Sequence, residues 1–525
     1  MEDRPTSRAT PDPPAELADV WSGRHVERAL VATLLLHALA MLSMVALLLP
    51  MMPGGPTADD AARMTAIASH AARWRLGWLP WGLTAVSDVA LGAALVAWPH
   101  VAPGRAWAAL ALVCAAVVPD QLGQVQWMTR GVELAREGDL TAYLAFEREV
   151  FGLTGAWAAM LYTASAVAWC ACFASARAWS PGLTRLSVPL FTLFGAAAVA
   201  PLLPARLAVP SGLVAAANAV GFVGFEAWLL LVLGRVTVLV RPDTRHGRYA
   251  PWRAPRASRG ARVLDRIANS RALHRLLQLL PTPQMRSDIR DVVYVNYLVR
   301  AERLAGLVPE GLVLQRLGPE GVWAMFSFLT YRHGCFGPRL AGPLRRLFSS
   351  PVQTNWRIYV LDPRTGHRGI AFLTTAVTTR LHAVGGRLMS EAPMHLLAAA
   401  EVTRDDAGRL RVRLDPGGGS APDADLDLAP APDLELPASW EECFPDMRAM
   451  LAYAVPQDRA MSTEPWRRCT TREEIDLAIP LDACEPLEGT VRSRMAEALV
   501  GHAKAVCFRV PSVKFRLGGE ERDGW

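Results

Sequence analysis

The first half of the chain is dominated by long apolar runs. They lie near residues 29–49, 79–98, 106–127, 150–176, 186–203 and 212–240. A helix needs roughly 20 residues to cross a hydrocarbon layer about 30 Å thick, and nearly all of these runs reach that length. The pattern therefore predicts an all-α polytopic membrane bundle of six transmembrane helices over residues 29–240.

The hydrophobic periodicity changes in the second half. Residues typical of strands, β-branched and aromatic, are dense at 292–298, 321–331, 352–361, 369–377 and 505–516. Short helices are predicted near 300–307 and 379–389, and a Gly, Pro and Asp-rich stretch predicts a mobile insert at about 415–438. Residues 286–520 are therefore predicted to form a soluble α+β domain of mainly antiparallel strands.

Two further segments flank the bundle. Residues 1–28 are rich in Pro, Ala and charge, which predicts a disordered tail. Residues 241–285 begin with ten arginines against two acids by residue 275, and apolar positions at rough helical spacing predict a basic amphipathic linker. By the positive-inside rule this linker is cytoplasmic. With an even number of spans, both termini are then expected in the cytoplasm of an inner or plasma membrane protein.

The linker predicts a partner. Arginine clusters neutralise the phosphates of nucleic acids as well as those of lipids. Because this cluster follows a membrane span directly, anionic lipid headgroups are the expected partner. Binding to nucleic acid is not expected. Nothing in the sequence indicates the oligomeric state.

Composition adds little chemistry. The eight cysteines are scattered and form no C-x-x-C pairs with nearby histidines, so no metal site is predicted. Reduced thiols fit a cytoplasmic second half.

Polar residues inside the predicted spans are the candidate functional residues of the bundle. They are Asp88, Asp120, Gln124 with its neighbour Gln121, and Glu226. A charged group at mid-bilayer costs a few kcal/mol on insertion scales, so it is expected to face the bundle interior. Two interpretations stay open: protonated carboxyls that hold the helices together, or a pathway for protons, ions or a ligand.

One predicted strand carries a polar face. Asn355, Arg357 and Tyr359 alternate, so they point to one side, with Trp356 and Ile358 on the other. This face is either solvated or salt-bridged, or it is a pocket wall. In the second case Arg357, together with Arg387, is expected to clamp a carboxylate or phosphate.

Three motifs in order carry a resemblance. The sequence VNYLVRAERLAGLVPEGLVLQ (295–315), QTNWRIYV (353–360) and AVGGRLMSEAP (383–393) resemble the YqjF-like uncharacterised family of the acetoacetate-decarboxylase-like superfamily. The resemblance covers roughly 286–520 and implies a barrel-like β fold around an apolar pocket. In the decarboxylases of this superfamily, a lysine in the third motif forms a Schiff base with the substrate.

This chain departs from that pattern at the decisive place. Aligned on Pro393, the two lysine positions fall on Met394 and His395, and the chain has only Lys504 and Lys514. Gln353 also stands where the family often has a carboxylate. Schiff-base decarboxylation is therefore not expected, and no cofactor is predicted. Met394 is interpreted as a pocket wall. His395 is either structural or a group that exchanges protons.

The expected function is binding. The leading hypothesis is a membrane protein whose cytoplasmic domain binds a small, partly apolar and possibly acidic molecule through Asn355, Arg357, Tyr359, Arg387, Met394 and His395. One alternative is an enzyme without a Schiff base, performing enolisation, hydration or lyase chemistry with His395 or Tyr359 as its catalytic group. The other is a transporter with a regulatory soluble domain.

Overall fold

The computed structural model describes residues 15–57, 59–241, 251–281, 284–455, 459–464, 469–476 and 479–524. The chain divides into two compact units, Met1–Pro242 and Asp243–Trp525.

The first unit is entirely helical in its described residues. Its helices are α1 Ala15–Ser43, α2 Asp60–Ser69, α3 Ala71–Val96, α4 Pro103–Met128, α5 Arg130–Glu137, α6 Leu140–Phe151, α7 Ala159–Ser175, α8 Pro181–Val199 and α9 Ser211–Val240. Two π-helical turns, Met44–Leu48 and Gly152–Ala158, extend α1 and join α6 to α7.

Six stretches of the described chain are long and apolar enough to cross a membrane, as predicted. They are Ser22–Met51, Ala71–Val96, Pro103–Glu137, Leu140–Ser175, Pro181–Leu202 and Ser211–Val240. Several begin earlier or end later than the apolar runs. The fourth starts at Leu140, ten residues before its predicted start, because α6 buries Tyr143, Phe146 and Val150 against neighbouring helices.

The predicted disordered tail is wrong for residues 15–28. Helix α1 begins at Ala15, while residues 1–14 lie outside the described residues. Helix formation continues through this polar stretch because Glu27, fully buried, forms an ion pair with Arg241 at 2.7 Å and accepts a hydrogen bond from Thr237 at 3.1 Å. These contacts fasten the start of the first apolar helix to the end of the last.

The second unit is a sheet with short helices. Its strands are β1 Met285–Arg300, β2 Val313–Leu314, β3 Trp323–Arg332, β4 Gly337–Pro338, β5 Val352–Leu361, β6 Arg368–Val377, β7 Met394–Leu396, β8 Ala399–Arg404, β9 Leu410–Asp415, β10 Ala424–Pro430, β11 Arg459–Glu464, β12 Cys469–Asp476, β13 Glu485–Arg492 and β14 Ala505–Gly524. Its helices are α10 Ala261–Ala268, α11 Arg271–Leu277, α12 Ala301–Ala305, α13 Arg380–Met389, α14 Ala438–Glu441, α15 Met447–Ala454 and α16 Arg494–Val500.

Strand pairing is antiparallel except where β6 pairs with β7 and β11. The order is β4-β1-β3-β5-β6-β11-β12-β14-β13-β10-β9-β8, and β1 also pairs with β14. A single parallel bridge, Ala460 with Ile370, joins β6 to β11, so the ladder is not continuous there. The mainly antiparallel α+β prediction is confirmed, whereas barrel-like closure stays a prediction.

Both faces of the central strands are buried, which explains why β5 is enclosed along nearly its whole length. On one face, Trp356, Ile358 and their neighbours pack into one apolar cluster. On the other, Tyr359 packs with residues of β1, β3, β14 and α15 in a second cluster. The alternation that predicted a shared face for Asn355, Arg357 and Tyr359 is confirmed, but that face is not solvated.

The predicted insert at 415–438 contains regular structure. Residues 424–430 form β10, which pairs with β9 and β13. Leu426 and Leu428 are buried while Asp425 is exposed, so this acidic stretch has the two-residue period of a strand despite its Gly and Pro-rich flanks. The prediction of a loop is therefore wrong for these residues.

The predicted linker is not a free amphipathic helix. Residues 242–250 and 282–283 lie outside the described residues, but 251–281 form α10 and α11 and pack on the second unit. Trp252 and Ala268 are buried against α13 and β7, so part of the apolar face expected to meet lipid is covered by protein. Lipid binding by the linker stays a prediction.

We expect Trp356→Ala to destabilise the second unit by about 3–5 kcal/mol, because it removes a fully buried ring and leaves a cavity. The ring stacks on Phe328 with centroids 4.1 Å apart. The measurement is thermal unfolding of the full chain, monitored through the labelling of buried cysteines such as Cys507 as they become accessible. The control is Val313→Ala at an exposed position, and equal melting of the two variants would contradict this packing.

Candidate functional site

A buried cation lies at the centre of the second apolar cluster. Arg357 on β5 is 3% exposed. Its Nη2 donates to the Tyr359 hydroxyl at 3.4 Å and to the Ala454 carbonyl at 3.3 Å, and its guanidinium carbon lies 5.5 Å from the ring centroids of Tyr294 and Tyr359. Within the described part of the chain, its Nε has no hydrogen-bond partner and no carboxylate forms an ion pair with it. Guanidinium stays protonated in proteins, so the charge is buried without an anion.

Hydroxyl and amide groups continue from this cation across the sheet. Tyr359 shares a hydrogen bond of 3.0 Å with Ser327 on β3, and the Ser327 hydroxyl donates to Asn296 on β1 at 2.8 Å. The Tyr359 hydroxyl also lies 3.3 Å from the Ala454 carbonyl. The single hydroxyl proton of Tyr359 therefore has two possible acceptors, Ser327 and the Ala454 carbonyl.

A second polar chain begins two residues earlier on β5. The Asn355 amide donates to the Tyr331 hydroxyl at 3.0 Å and accepts from Gln353 at 2.8 Å. Gln353 in turn bonds His333 Nε2 at 2.9 Å, and His333 Nδ1 bonds Ser287 at 2.8 Å. Burial raises the pKa of Tyr331, so its hydroxyl stays a neutral donor at any physiological pH.

Met394 extends the same face of the sheet by two strands. In the ladder, Asn355 is opposite Thr375 on β6, and Thr375 is opposite Met394 on β7. Directly opposed residues point to the same face. The Thr375 hydroxyl lies 3.3 Å from the Met394 sulfur. The structure therefore places Met394 in one row with Asn355, which is compatible with the predicted pocket wall.

Arg387 and His395 bind other parts of the chain. Arg387 on α13 is buried, and its Nε donates to the Ala268 carbonyl at the end of α10 at 3.1 Å. His395 is fully buried, and its Nδ1 bonds Ser420 at 2.7 Å. In the described residues no contact joins either side chain to Arg357. The predicted two-arginine clamp is therefore not formed, since α13 turns Arg387 toward the linker.

The linker is anchored on the loop that carries these residues. His274 bonds the Leu388 carbonyl through Nδ1 and the Glu391 carboxylate through Nε2, both at 2.9 Å. Arg253 exchanges backbone hydrogen bonds with the Ser420 side chain at 2.8 and 3.2 Å. A Cβ on Gly419 would come within 2.8 Å of the Arg253 carbonyl, so glycine is required at this close approach.

In the bundle, three of the four predicted polar residues belong to neighbouring groups. His37 Nε2 lies 3.8 Å from Asp88. Asp120 accepts from Gln124 at 3.0 Å and from the Tyr162 hydroxyl at 3.2 Å. Glu226 on α9 is separate, since no contact links it to these carboxyls within the described residues. Both interpretations of Asp88 and Asp120 stay open.

A surface cavity of about 310 Å³ lies away from these residues. It is lined by β9, β10 and the start of α16, with arginines and acids alternating around it; they include Arg413, Asp415, Asp423, Arg492 and Arg494. Arg494 already pairs with Asp423 at 3.1 Å. Charges of both signs satisfy each other here, so this cavity does not compete with Arg357 as a binding site.

The two lysines are on or near the last strand. Lys504 is exposed immediately before β14, and the backbone of Lys514 is opposite Asp288 of β1.

Comparison with known families agrees with the motif order. Residues 286–443 match DUF2071, described as "Uncharacterized conserved protein (COG2071)". These residues form a DUF2071 domain, as the YqjF-like motifs predict. The match ends well before residue 520 and does not include the helical unit. No curated protein matches the chain.

Solved structures similar to the chain are acetoacetate-decarboxylase-like proteins. Acetoacetate decarboxylase from Legionella pneumophila has 11% identity and a TM-score of 0.33, covering 46% of this chain and 88% of that chain. An acetoacetate decarboxylase-like enzyme from Sphingomonas wittichii RW1 has 13% identity and a TM-score of 0.33, covering 47% of this chain and 95% of that chain. The enduracididine biosynthesis enzyme MppR complexed with pyruvate has 16% identity and a TM-score of 0.32, covering 46% of this chain and 91% of that chain. Scores of this size say nothing about activity.

Sequence reasoning missed the residues that surround Arg357 in the DUF2071 domain. Tyr294 and Asn296 are two residues apart on β1, and Ser327 and Tyr331 are four apart on β3, so each pair lies on one face of its strand. The two-residue period was the available signal, because paired strands bring these positions onto the face of Arg357. The register that aligns them was not readable from one sequence.

We expect the DUF2071 domain to lose stability as the pH falls from 6.5 to 4, partly through His333. Burial lowers the pKa of His333 to about 4, below the unfolded value of about 6.5. In this window the unfolded chain binds a proton that the folded chain does not, so stability decreases with decreasing pH, by at most about 3 kcal/mol from this residue.

The measurement is the melting temperature of the full chain between pH 7 and 4.5. His333→Gln should flatten the pH dependence, although burial also lowers the pKa of the nearby His382, so part should remain. The exposed His502→Gln is the control. An unchanged slope in His333→Gln would show that His333 does not titrate this way.

We expect His274→Ala to loosen the linker, because it removes both bonds to the loop of Leu388 and Glu391. Limited trypsin digestion of the full chain should then cut faster after the linker arginines at 253–271 than in wild type. His502→Ala is the matched control. Identical digestion of all three proteins would mean that these bonds do not hold the linker.

Proposed function

We propose that this is an integral membrane protein whose DUF2071 domain lies in the cytoplasm and binds a small, partly apolar carboxylic acid at Arg357. The observation that supports the ligand is a buried guanidinium with which no carboxylate of the described residues forms an ion pair. The membrane assignment rests on the six long apolar stretches, and the orientation rests on the arginine run from residue 241.

The hydrogen bonds of Arg357 favour an incoming carboxylate. The hydrogen bonds of Nη2 to the Ala454 carbonyl and the Tyr359 hydroxyl, at 3.3 and 3.4 Å, are longer than the 2.7–2.9 Å of charge-assisted bonds. The carbonyl of Ala454 at the end of α15 offers only the partial negative charge of a helix C-terminus. A ligand carboxylate would replace this carbonyl as the acceptor for Arg357 and Tyr359, with the stronger bonds of a full charge.

The surroundings define the rest of the ligand. Leu298, Met325, Leu329, Ile370 and Phe508 belong to the apolar cluster that includes Tyr359. A molecule held at Arg357 would therefore place its remaining atoms against apolar side chains, as is usual for small-molecule sites. Met394, at the lysine position of the family motif, has a thioether that forms no Schiff base, which favours binding over decarboxylation.

One alternative keeps a supporting observation. The Tyr359 hydroxyl lies 3.4 Å from Nη2 of Arg357, so a proton-transfer group stands next to the group that would hold an anion. An enzyme without a Schiff base would use Tyr359 in this role. His395 is a weaker candidate because it bonds Ser420. The transporter alternative rests on the polar contacts of Asp88 with His37 and of Asp120 with Gln124 and Tyr162 inside the bundle.

The test is binding of small carboxylic and keto acids to the full chain in nanodiscs, measured by native mass spectrometry with pyruvate, acetoacetate and butyrate as probes. Arg357→Gln should weaken binding about 10-fold to 150-fold, because a hydrogen bond to a charged group contributes about 1.5–3 kcal/mol. Arg357→Lys should retain part of the affinity through its charge.

The control is Arg448→Gln, whose side chain is 71% exposed and pairs with Asp482. Equal binding by wild type, Arg357→Gln and Arg448→Gln, with all three melting normally, would contradict a site at Arg357. If folded wild type binds the acids but not their apolar neutral analogues, the acid group is required for binding.

A further inference from the structure

An unusual surface lies on the segment between β4 and β5. Residues Arg339–Leu347, sequence RLAGPLRRL, form 3-10 turns with no buried side chain. Leu340, Leu344 and Leu347 are 100%, 64% and 82% exposed. Single exposed leucines are common, but three in nine residues form an apolar patch that indicates an interaction surface.

Two segments that are hydrogen-bonded to this part of the chain also carry exposed leucines. Arg339 donates to Gln284 through its backbone at 2.7 Å and its side chain at 3.1 Å, which ties the segment to the chain following α11, where Leu279 and Leu280 are exposed. His382 bonds the Phe336 carbonyl at 3.1 Å, which ties it to the start of α13, where Leu381 is 71% exposed. We call the six leucines at 279, 280, 340, 344, 347 and 381 the leucine patch.

The exposed charge around the leucine patch is mainly positive. Arg339, Arg346 and Arg380 are exposed beside it. The segments 279–286, 336–350 and 378–390 contain no Asp or Glu. Arg345 differs from these arginines because it forms an ion pair with Asp288 at 3.7 Å. Leucines interleaved with a majority of arginines match the interface of an anionic bilayer, where apolar side chains enter the headgroup region and arginines meet phosphates.

The chain itself brings this surface to a membrane. Only nine residues separate Arg241, which follows α9, from Pro251. If α9 crosses a membrane, the DUF2071 domain is tethered beside lipid at high effective concentration, so even a weak surface affinity is sufficient. We propose that the leucine patch docks the domain on an anionic lipid bilayer. A lipid surface fits better than a protein partner because exposed arginines and leucines predominate in these segments, and Asp288 is the one acid that the described residues place in contact with the segment 339–347.

This docking differs from the lipid contact that the sequence predicts. The arginine-rich helices α10 and α11 have part of their apolar side against α13 and β7. The residues that remain exposed at this end of the linker are Leu279 and Leu280. The proposed docking therefore places the lipid contact on the segment at 339–347 as well as on the end of the linker.

The experiment compares hydrogen exchange of the peptide covering 336–350 in the full chain, with one chain per nanodisc. One set of discs contains phosphatidylcholine alone and the other adds a minority of phosphatidylglycerol. The anionic discs should slow exchange of this peptide at least about fivefold, since docking excludes water from its exposed amides. Replacing Leu340, Leu344 and Leu347 together by serine should remove that difference, and Arg339→Gln with Arg346→Gln should reduce it.

The control is Val313→Ser, an exposed apolar position outside the patch, which should behave as wild type. The leucines are exposed, so the triple variant is expected to fold, and its melting temperature verifies this. Equal exchange in both disc types, or a lipid effect that persists in the folded triple variant, would overturn the proposal. Protection that appears only when several chains share a disc would assign the patch to a second copy instead and would also overturn it.

Discussion

The second unit depends on how it accommodates one buried positive charge. Arg357 stands on a strand enclosed on both faces, where a cation normally requires a paired anion to offset its desolvation. The described residues supply one tyrosine hydroxyl, two tyrosine rings and one helix-terminal carbonyl instead. Tyr359, Ser327 and Asn296 then carry the polar network into β1 and β3. No anion among the described residues neutralises the Arg357 guanidinium, and this is the physical basis for proposing a carboxylate ligand.

The loop after α13 has a different role from the one its motif suggests. In the resemblance it is the place of a reactive lysine, and here it receives the linker. Arg387 bonds the end of α10, His395 bonds Ser420, and His274 bonds the loop itself. Residues that looked like ligand groups in sequence are therefore used to fasten residues 251–281 to the domain. Met394 shares the face of Asn355.

Much of this was readable from sequence because the signals were local. Apolar length predicted the spans, and strand period predicted β5 and the shared face of Asn355, Arg357 and Tyr359. What failed depends on distant contacts. The partnership of Glu27 with Arg241 extended α1 into the supposed tail. Pairing of β10 on both sides ordered an acidic stretch that reads as a loop. The direction of Arg387 followed from the packing of α13 on the linker, which no pattern in one chain reports.

The most direct test of a ligand at Arg357 is an experimental density map of the full chain purified gently from its membrane and supplied with a small carboxylic acid. The proposal predicts density for a carboxylate within about 3 Å of the guanidinium, with the Ala454 carbonyl displaced from it. If the map shows Arg357 bonded only to Tyr359 and Ala454, with protein side chains filling the space around it, the claim that this cation binds a carboxylate is contradicted.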